Sequence, residues 1–127
     1  MSENINVDVD PVEKFGMRLA HVGINAATPE EAAEIAGFFQ TFFNLPAEDT
    51  PPSYFSGTLV ETMKGCGRGD KGHIGFWVND MDGAEAYFKT RGLTINEESR
   101  VFYPDGSPKL VYFNEQIAGF AIHICQQ

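Results

Sequence analysis

His21-Val-Gly-Ile24, inside Arg18-Leu-Ala-His-Val-Gly-Ile-Asn25, returns later in the chain as His73-Ile-Gly-Phe76, inside Lys71-Gly-His-Ile-Gly-Phe-Trp-Val-Asn79. Both stretches read as strands, because apolar residues alternate with other types at a period of two. Val22 and Ile24 share one face of the first, and His21, Gly23 and Asn25 share the other. In the second, Ile74, Phe76 and Val78 oppose His73, Gly75 and Trp77. One face is branched or aromatic and suited to packing under helices. The other mixes histidine, glycine and a large aromatic, which suits the wall of a cleft.

The segment after each strand also repeats. Beyond the first, Thr28-Pro29-Glu30-Glu31 supplies an N-cap, a proline at the first helical position and an acidic first turn. Ala32, Ile35, Ala36, Phe39 and Phe43 then recur at helical spacing, and Asn44 ends the helix. Beyond the second strand, Asp80 or Asp82 caps a helix carrying Ala84, Tyr87 and Phe88, closed by Arg91-Gly92-Leu93. Short strands complete each half: Ser53–Phe55 and Gly57–Met63 in the first, then Thr94–Ile95, Ser99–Tyr103, Lys109–Phe113 and Phe120–Cys125 in the second. Pro104-Asp-Gly106 marks a hairpin turn. The pattern predicts an α+β domain of two βαβββ modules, about 18–64 and 71–127, with the glycine-rich Gly65-Cys-Gly-Arg-Gly69 as linker. Residues 1–17 are rich in Asn, Asp and Glu and read as a flexible acidic tail outside the fold.

The 127 residues suffice for one core, and the hydrophobic and charged fractions, 43% and 21%, are ordinary for a globular protein. A formal charge of −9 repels phosphate backbones and anionic lipid, which argues against nucleic-acid or membrane partners. No stretch approaches the roughly 18 apolar residues of a membrane span, and no leader is evident, so a cytoplasmic location is expected. Cys66 and Cys125 form no C-x-x-C pair and read as reduced thiols.

All three histidines, His21, His73 and His123, lie in strand-like runs flanked by apolar residues. Glu61 and His123 occupy equivalent places near the ends of the two halves. A carboxylate between Leu59, Val60 and Met63 is costly to bury unless it is paired or bound to metal. Three imidazoles and one carboxylate suit a divalent transition metal (Zn, Ni, Co, Mn or Fe) better than Ca or Mg. Such a set leaves open positions for substrate oxygens, and Glu61 can double as general base. Trp77, Met63 and Cys125 fall on the same strand faces and are candidates for the substrate pocket. No G-x-S-x-G, Walker A or G-x-G-x-x-G motif competes with this set.

The repeat and the ligand order together resemble the vicinal oxygen chelate superfamily (glyoxalase, bleomycin resistance protein, dihydroxybiphenyl dioxygenase) over Arg18 to Gln127. That resemblance implies a cupped mixed sheet, metal ligands at His21, Glu61, His73 and His123, and frequent homodimers. His123 stands where glyoxalase I-like members carry glutamate, which speaks against the glyoxalase I reaction itself. Arg18–Asn25, Glu61-Thr-Met-Lys64, Gly72-His-Ile-Gly75 and Gly119-Phe-Ala-Ile-His123 are also similar to a domain at the C-terminus of some bacterial 2-dehydro-3-deoxyphosphogluconate/4-hydroxy-2-oxoglutarate aldolases. The aldolase chemistry belongs to a separate barrel and is not implied for this chain. The resemblance implies a metal-dependent lyase, isomerase or epimerase acting on a small 2-oxo or hydroxycarbonyl compound. The alternative is a non-catalytic binding, resistance or accessory domain of the same fold.

Overall fold

A computed structural model describes residues 9–127. Its elements are α1 (Pro11–Phe15), β1 (Arg18–Ala26), α2 (Pro29–Phe43), β2 (Ala47–Asp49), β3 (Ser53–Ser56), β4 (Val60–Lys64), β5 (Gly72–Trp77), α3 (Met81–Thr90), β6 (Ile95–Phe102), β7 (Pro108–Ile117) and β8 (Phe120–Cys125). All the strands join one eight-stranded sheet in the order β2-β3-β4-β1-β5-β8-β7-β6. The order is symmetric about its centre, with β1 matching β5, β4 matching β8 and β3 matching β7. The two βαβββ modules are therefore joined by the antiparallel β1–β5 ladder. Within each module the first and last strands run parallel, β1 with β4 and β5 with β8. The sheet is mixed, as the repeat predicts.

The helix ends follow their sequence signals. Thr28 Oγ1 accepts from the Glu31 amide, and Asn44, at φ 57, ends α2 in the left-handed region. Asp80, rather than Asp82, caps α3 by accepting from the Gly83 amide. Ala32 and Ala36 are the fully buried residues of α2, while Phe43 is 59% exposed. The main core lies in module two, where Val78, Met81, Ala84, Val111, Phe113 and Ile124 pack together. Ile124 and Val111 are cross-strand partners on the helix-covered face, which leaves His123 and Tyr112 on the opposite one.

Three expectations change. Residues 1–8 of the expected tail lie outside the described residues. Residues 11–15, which read as part of that tail, instead form α1, capped by Asp10 and ended by Gly16 at φ 60. Phe15 is 3% exposed and joins the module-two core, packing on Tyr87 at 5.9 Å. Phe15 has only Val12 and Met17 as apolar neighbours, too few to show a period, so composition alone makes the tail too long. The expected Gly57–Met63 strand begins only at Val60, because Gly57 takes φ 59 and the chain turns before β4. The short edge strand β2 is absent from the sequence reading, and its burial gives no alternation to read.

Candidate metal centre

Two glycines organise the concave face. Gly23 on β1 has Glu61 of β4 beside it on one side and His73 of β5 on the other. Gly75 on β5 is flanked in the same way by His21 of β1 and His123 of β8. A Cβ on Gly23 would collide with the His73 ring, and a Cβ on Gly75 with the His123 ring. The absent side chains are therefore what lets both imidazoles lie down over the sheet toward its centre. The histidine–glycine alternation of the sequence has this steric meaning.

Of the four predicted donors the three histidines cluster together, and Glu61 reaches two of them, His73 and His21. His21 Nε2 lies 3.0 Å from His73 Nε2, and His73 Nε2 lies 3.1 Å from Glu61 Oε1. His21 Nε2 is 3.5 Å from the same oxygen. The three histidines each offer a nitrogen within 4.8 Å of the others. An ion about 2.1 Å from its ligands separates neighbouring donors by about 3.0–3.4 Å, whether octahedral or tetrahedral. The His21–His73 and His73–Glu61 spacings fall in that range, the His21–Glu61 spacing lies just beyond it, and His123 stands within 4.8 Å of the other two histidines. His123 is 1% exposed, and among the described residues neither of its ring nitrogens has a hydrogen-bond partner. The His73 Nδ1 is likewise unpartnered. Leaving buried polar atoms unsatisfied costs about 1–3 kcal/mol each. A shared cation would relieve that cost for the nitrogens facing it. The residues present fit a divalent transition metal on chemistry, and His21, His73 and Glu61 approach it on spacing.

The protonation states suit ligands. Burial lowers the His21 pKa, and the neighbouring His73 lowers it further against the opposing pull of Glu61. Burial likewise pushes His123 down to about 3, with His21 and His73 adding to the effect. For Glu61, burial raises the pKa, but hydrogen bonds from His73 and Ser53 and the charges of His73 and His21 outweigh it, so the net shift is downward. The downward shifts favour neutral imidazoles at His21 and His123 and an ionised carboxylate at Glu61, the forms that bind metal.

A cavity of about 600 Å³ opens beside this cluster, reaching His21 and His123. Its walls include Phe55, Leu59, Trp77, Leu110 and Cys125, with Lys109 as the lining lysine and Glu48 as the lining carboxylate. Trp77 and Cys125 are neighbours across the β5–β8 ladder and line the cavity. Met63 does not line it. It sits on the Glu61 face but further along β4, opposite Asn25 and against Gly67 of the linker.

Sequence reasoning missed several residues that shape the site. Ser53 is fully buried and donates to Glu61 Oε2 at 2.7 Å, leaving Oε1 toward the histidines. Phe55 faces Glu61 across the β3–β4 ladder and meets the His21 ring edge-on at 5.7 Å. Tyr112 occupies the matching place in module two, opposite His123, with ring centres 4.9 Å apart. Burial raises the Tyr112 pKa to about 12, and the Glu61 charge adds to the shift. The signal for Phe55 and Tyr112 is hairpin register, which places each beside a predicted ligand on the adjacent strand, whereas Ser53 pairs with Met63 and reaches Glu61 diagonally.

No protein-family model matches the chain, and no curated protein matches it in sequence. Solved structures do. A hypothetical protein from Bacillus halodurans superposes with a TM-score of 0.59 at 16% identity, covering 88% of this chain and 95% of that one. Methylmalonyl-CoA epimerase from Streptomyces coelicolor, in complex with 2-nitronate-propionyl-CoA, gives 0.57 at 13% identity, with 87% and 96% covered. Methylmalonyl-CoA epimerase from Mycobacterium tuberculosis gives 0.55 at 16%, with 85% and 86% covered. The chain has the vicinal oxygen chelate, or glyoxalase-like, fold.

Proposed function

We propose that this protein is a metal-dependent lyase, isomerase or epimerase of glyoxalase-like type, acting on a small 2-oxo or hydroxycarbonyl compound. The observation that carries the reading is the convergence of His21, His73 and Glu61 at 3.0–3.5 Å, with the orphaned nitrogens of His123 completing the set. His21, Glu61, His73 and His123 would hold one divalent transition ion. When bound, such an ion supplies Lewis-acid polarisation of a substrate carbonyl. The chain's own residues do the rest. Ser53 anchors Glu61 at Oε2, so Oε1 is the atom that would hold the ion and, once released from it, take the proton. Trp77, Phe55, Leu59 and Leu110 exclude water from the reacting face.

A role in sugar-acid metabolism belongs to the same proposal, on the resemblance of Arg18–Asn25 and Gly119-Phe-Ala-Ile-His123 to a domain fused to some bacterial aldolases. Schiff-base aldolase chemistry is not part of the reading, because no lysine among the described residues is buried. A homodimer in the cytoplasm belongs to the same proposal, and no described helix is long and apolar enough to cross a membrane.

The test is elemental analysis of protein purified without a histidine tag, beside a His73→Ala variant. One transition ion per chain, lost in the variant, is expected. Absence of metal after loading with Zn, Ni, Co and Mn would leave ligand binding without catalysis as the function of the cavity.

A further inference from the structure

The cavity is electrically lopsided. On the module-one side, Glu48 of β2 is the lining carboxylate. On the module-two side, Lys109 of β7 is the lining cation, and its ammonium rests over the Tyr103 ring at 5.6 Å. Tyr103 is fixed in turn, its hydroxyl donating to the Gln126 carbonyl at 2.5 Å. The nearest carboxylate of the same turn, Asp105, is occupied by the Ser107 amide and hydroxyl. Beside Lys109 in the lining stands Gln127, which accepts from Arg18 at 3.4 Å. Arg18 pairs across β1–β5 with Trp77, another wall residue, and its other hydrogen bonds go to the neutral oxygens of Gly16 and Asn79. Among the described residues neither Lys109 nor Arg18 has a carboxylate partner within 4 Å. Lys109, without a counter-ion, therefore lines the cavity, and Arg18, also without one, stands behind the wall residues Trp77 and Gln127.

We propose that the cavity takes a small acid whose carboxylate is distal to the oxygens offered to the His/Glu cluster, and that Lys109 receives this carboxylate with Arg18 behind it. The inference rests on the proposed metal-dependent function and narrows its substrate class. It also separates this chain from its structural neighbours that bind CoA esters. A CoA thioester brings several phosphate charges, which a chain of net charge −9 and a rim holding Glu48 disfavour.

Trp77 is the chain's one tryptophan and lines the cavity, so its fluorescence reports occupancy. Metal-loaded protein is titrated with 2-oxoglutarate, with 2-oxopentanoate, which has the same carbon chain without the distal carboxylate, and with propionyl-CoA. Metal-stripped protein is titrated with pentanoate and pentanamide. At least a tenfold preference for 2-oxoglutarate is expected, falling below twofold in Lys109→Gln and returning in Lys109→Arg. In stripped protein, pentanoate should quench Trp77 and pentanamide should not, and Lys109→Gln should abolish the difference. Equal affinity for the two oxo acids, survival of the preference in Lys109→Gln, or tighter binding of propionyl-CoA overturns the proposal. If no ion is taken up, the stripped-protein titration decides alone, so loss of the metal reading and loss of the carboxylate pole are read separately.

Discussion

Gly75 cedes its side-chain volume to the imidazole of His123, which reaches the centre of the sheet across the space a Cβ would fill. Gly75→Ala should therefore push His123 aside rather than be absorbed as a small core change. We expect a stability loss of about 1–3 kcal/mol from overpacking, together with loss of bound metal. Thermal unfolding and metal content on the same samples check both effects. An alanine variant with full metal content contradicts the steric account.

Ser53→Ala removes the hydroxyl that holds Glu61 Oε2. Without that anchor the Glu61 pKa should rise and its carboxylate should rotate. A loss of roughly 10–100-fold in metal affinity is expected, as for other partners that orient a ligand from behind. Competition against a coloured chelator measures it, and Ser53→Thr should recover part of the loss.

Acid should destabilise the metal-free protein early. His123 stays neutral in the fold down to about 3, whereas its ordinary value is 6.5. Below that ordinary value the unfolded chain takes up a proton that the folded chain refuses, so stability is full above it and falls as the pH drops. His21 and Glu61 are also shifted down, and each acts in the same direction below its own ordinary value. Each such proton contributes a slope of about 1.4 kcal/mol per pH unit. Urea unfolding of chelator-treated protein at stepped pH between 7 and 4 measures the slope, and His123→Phe should flatten it.

The two thiols should differ sharply in reactivity. Cys66 is exposed in the linker, whereas Cys125 is buried and its thiol is pushed up to about 12 by that burial. Iodoacetamide on the folded protein at neutral pH should modify Cys66 and spare Cys125. Peptide mass mapping reads the outcome, and fast labelling of Cys125 would mean that the cavity floor opens.

Phe15→Ala should cost about 3–5 kcal/mol, the range for deleting a buried aromatic ring. Chemical denaturation measures it. A cost below about 1 kcal/mol would return α1 to the status of a tail.

The central frame was legible because its signals are local. A histidine two residues before a glycine, twice, with branched residues between, fixes both the face and the repeat. The residues around the donors were not legible in the same way. Ser53, Phe55 and Tyr112 matter through the strands opposite them, and a strand pairing is a distance that a linear reading does not contain. Met63 shows the converse, since sharing a face with Glu61 says nothing about its position along the cleft. β2 is exposed at every residue and so carries no alternation, and α1 is too short to show a period.

The β1–β5 ladder joins the two modules in the sheet, and the donors straddle it, His21 and Glu61 on one side and His73 and His123 on the other. An ion held by all four would thus act as a rivet through that seam. The halves could part no faster than the ion leaves, which makes its residence time a clock for the opening of the whole molecule.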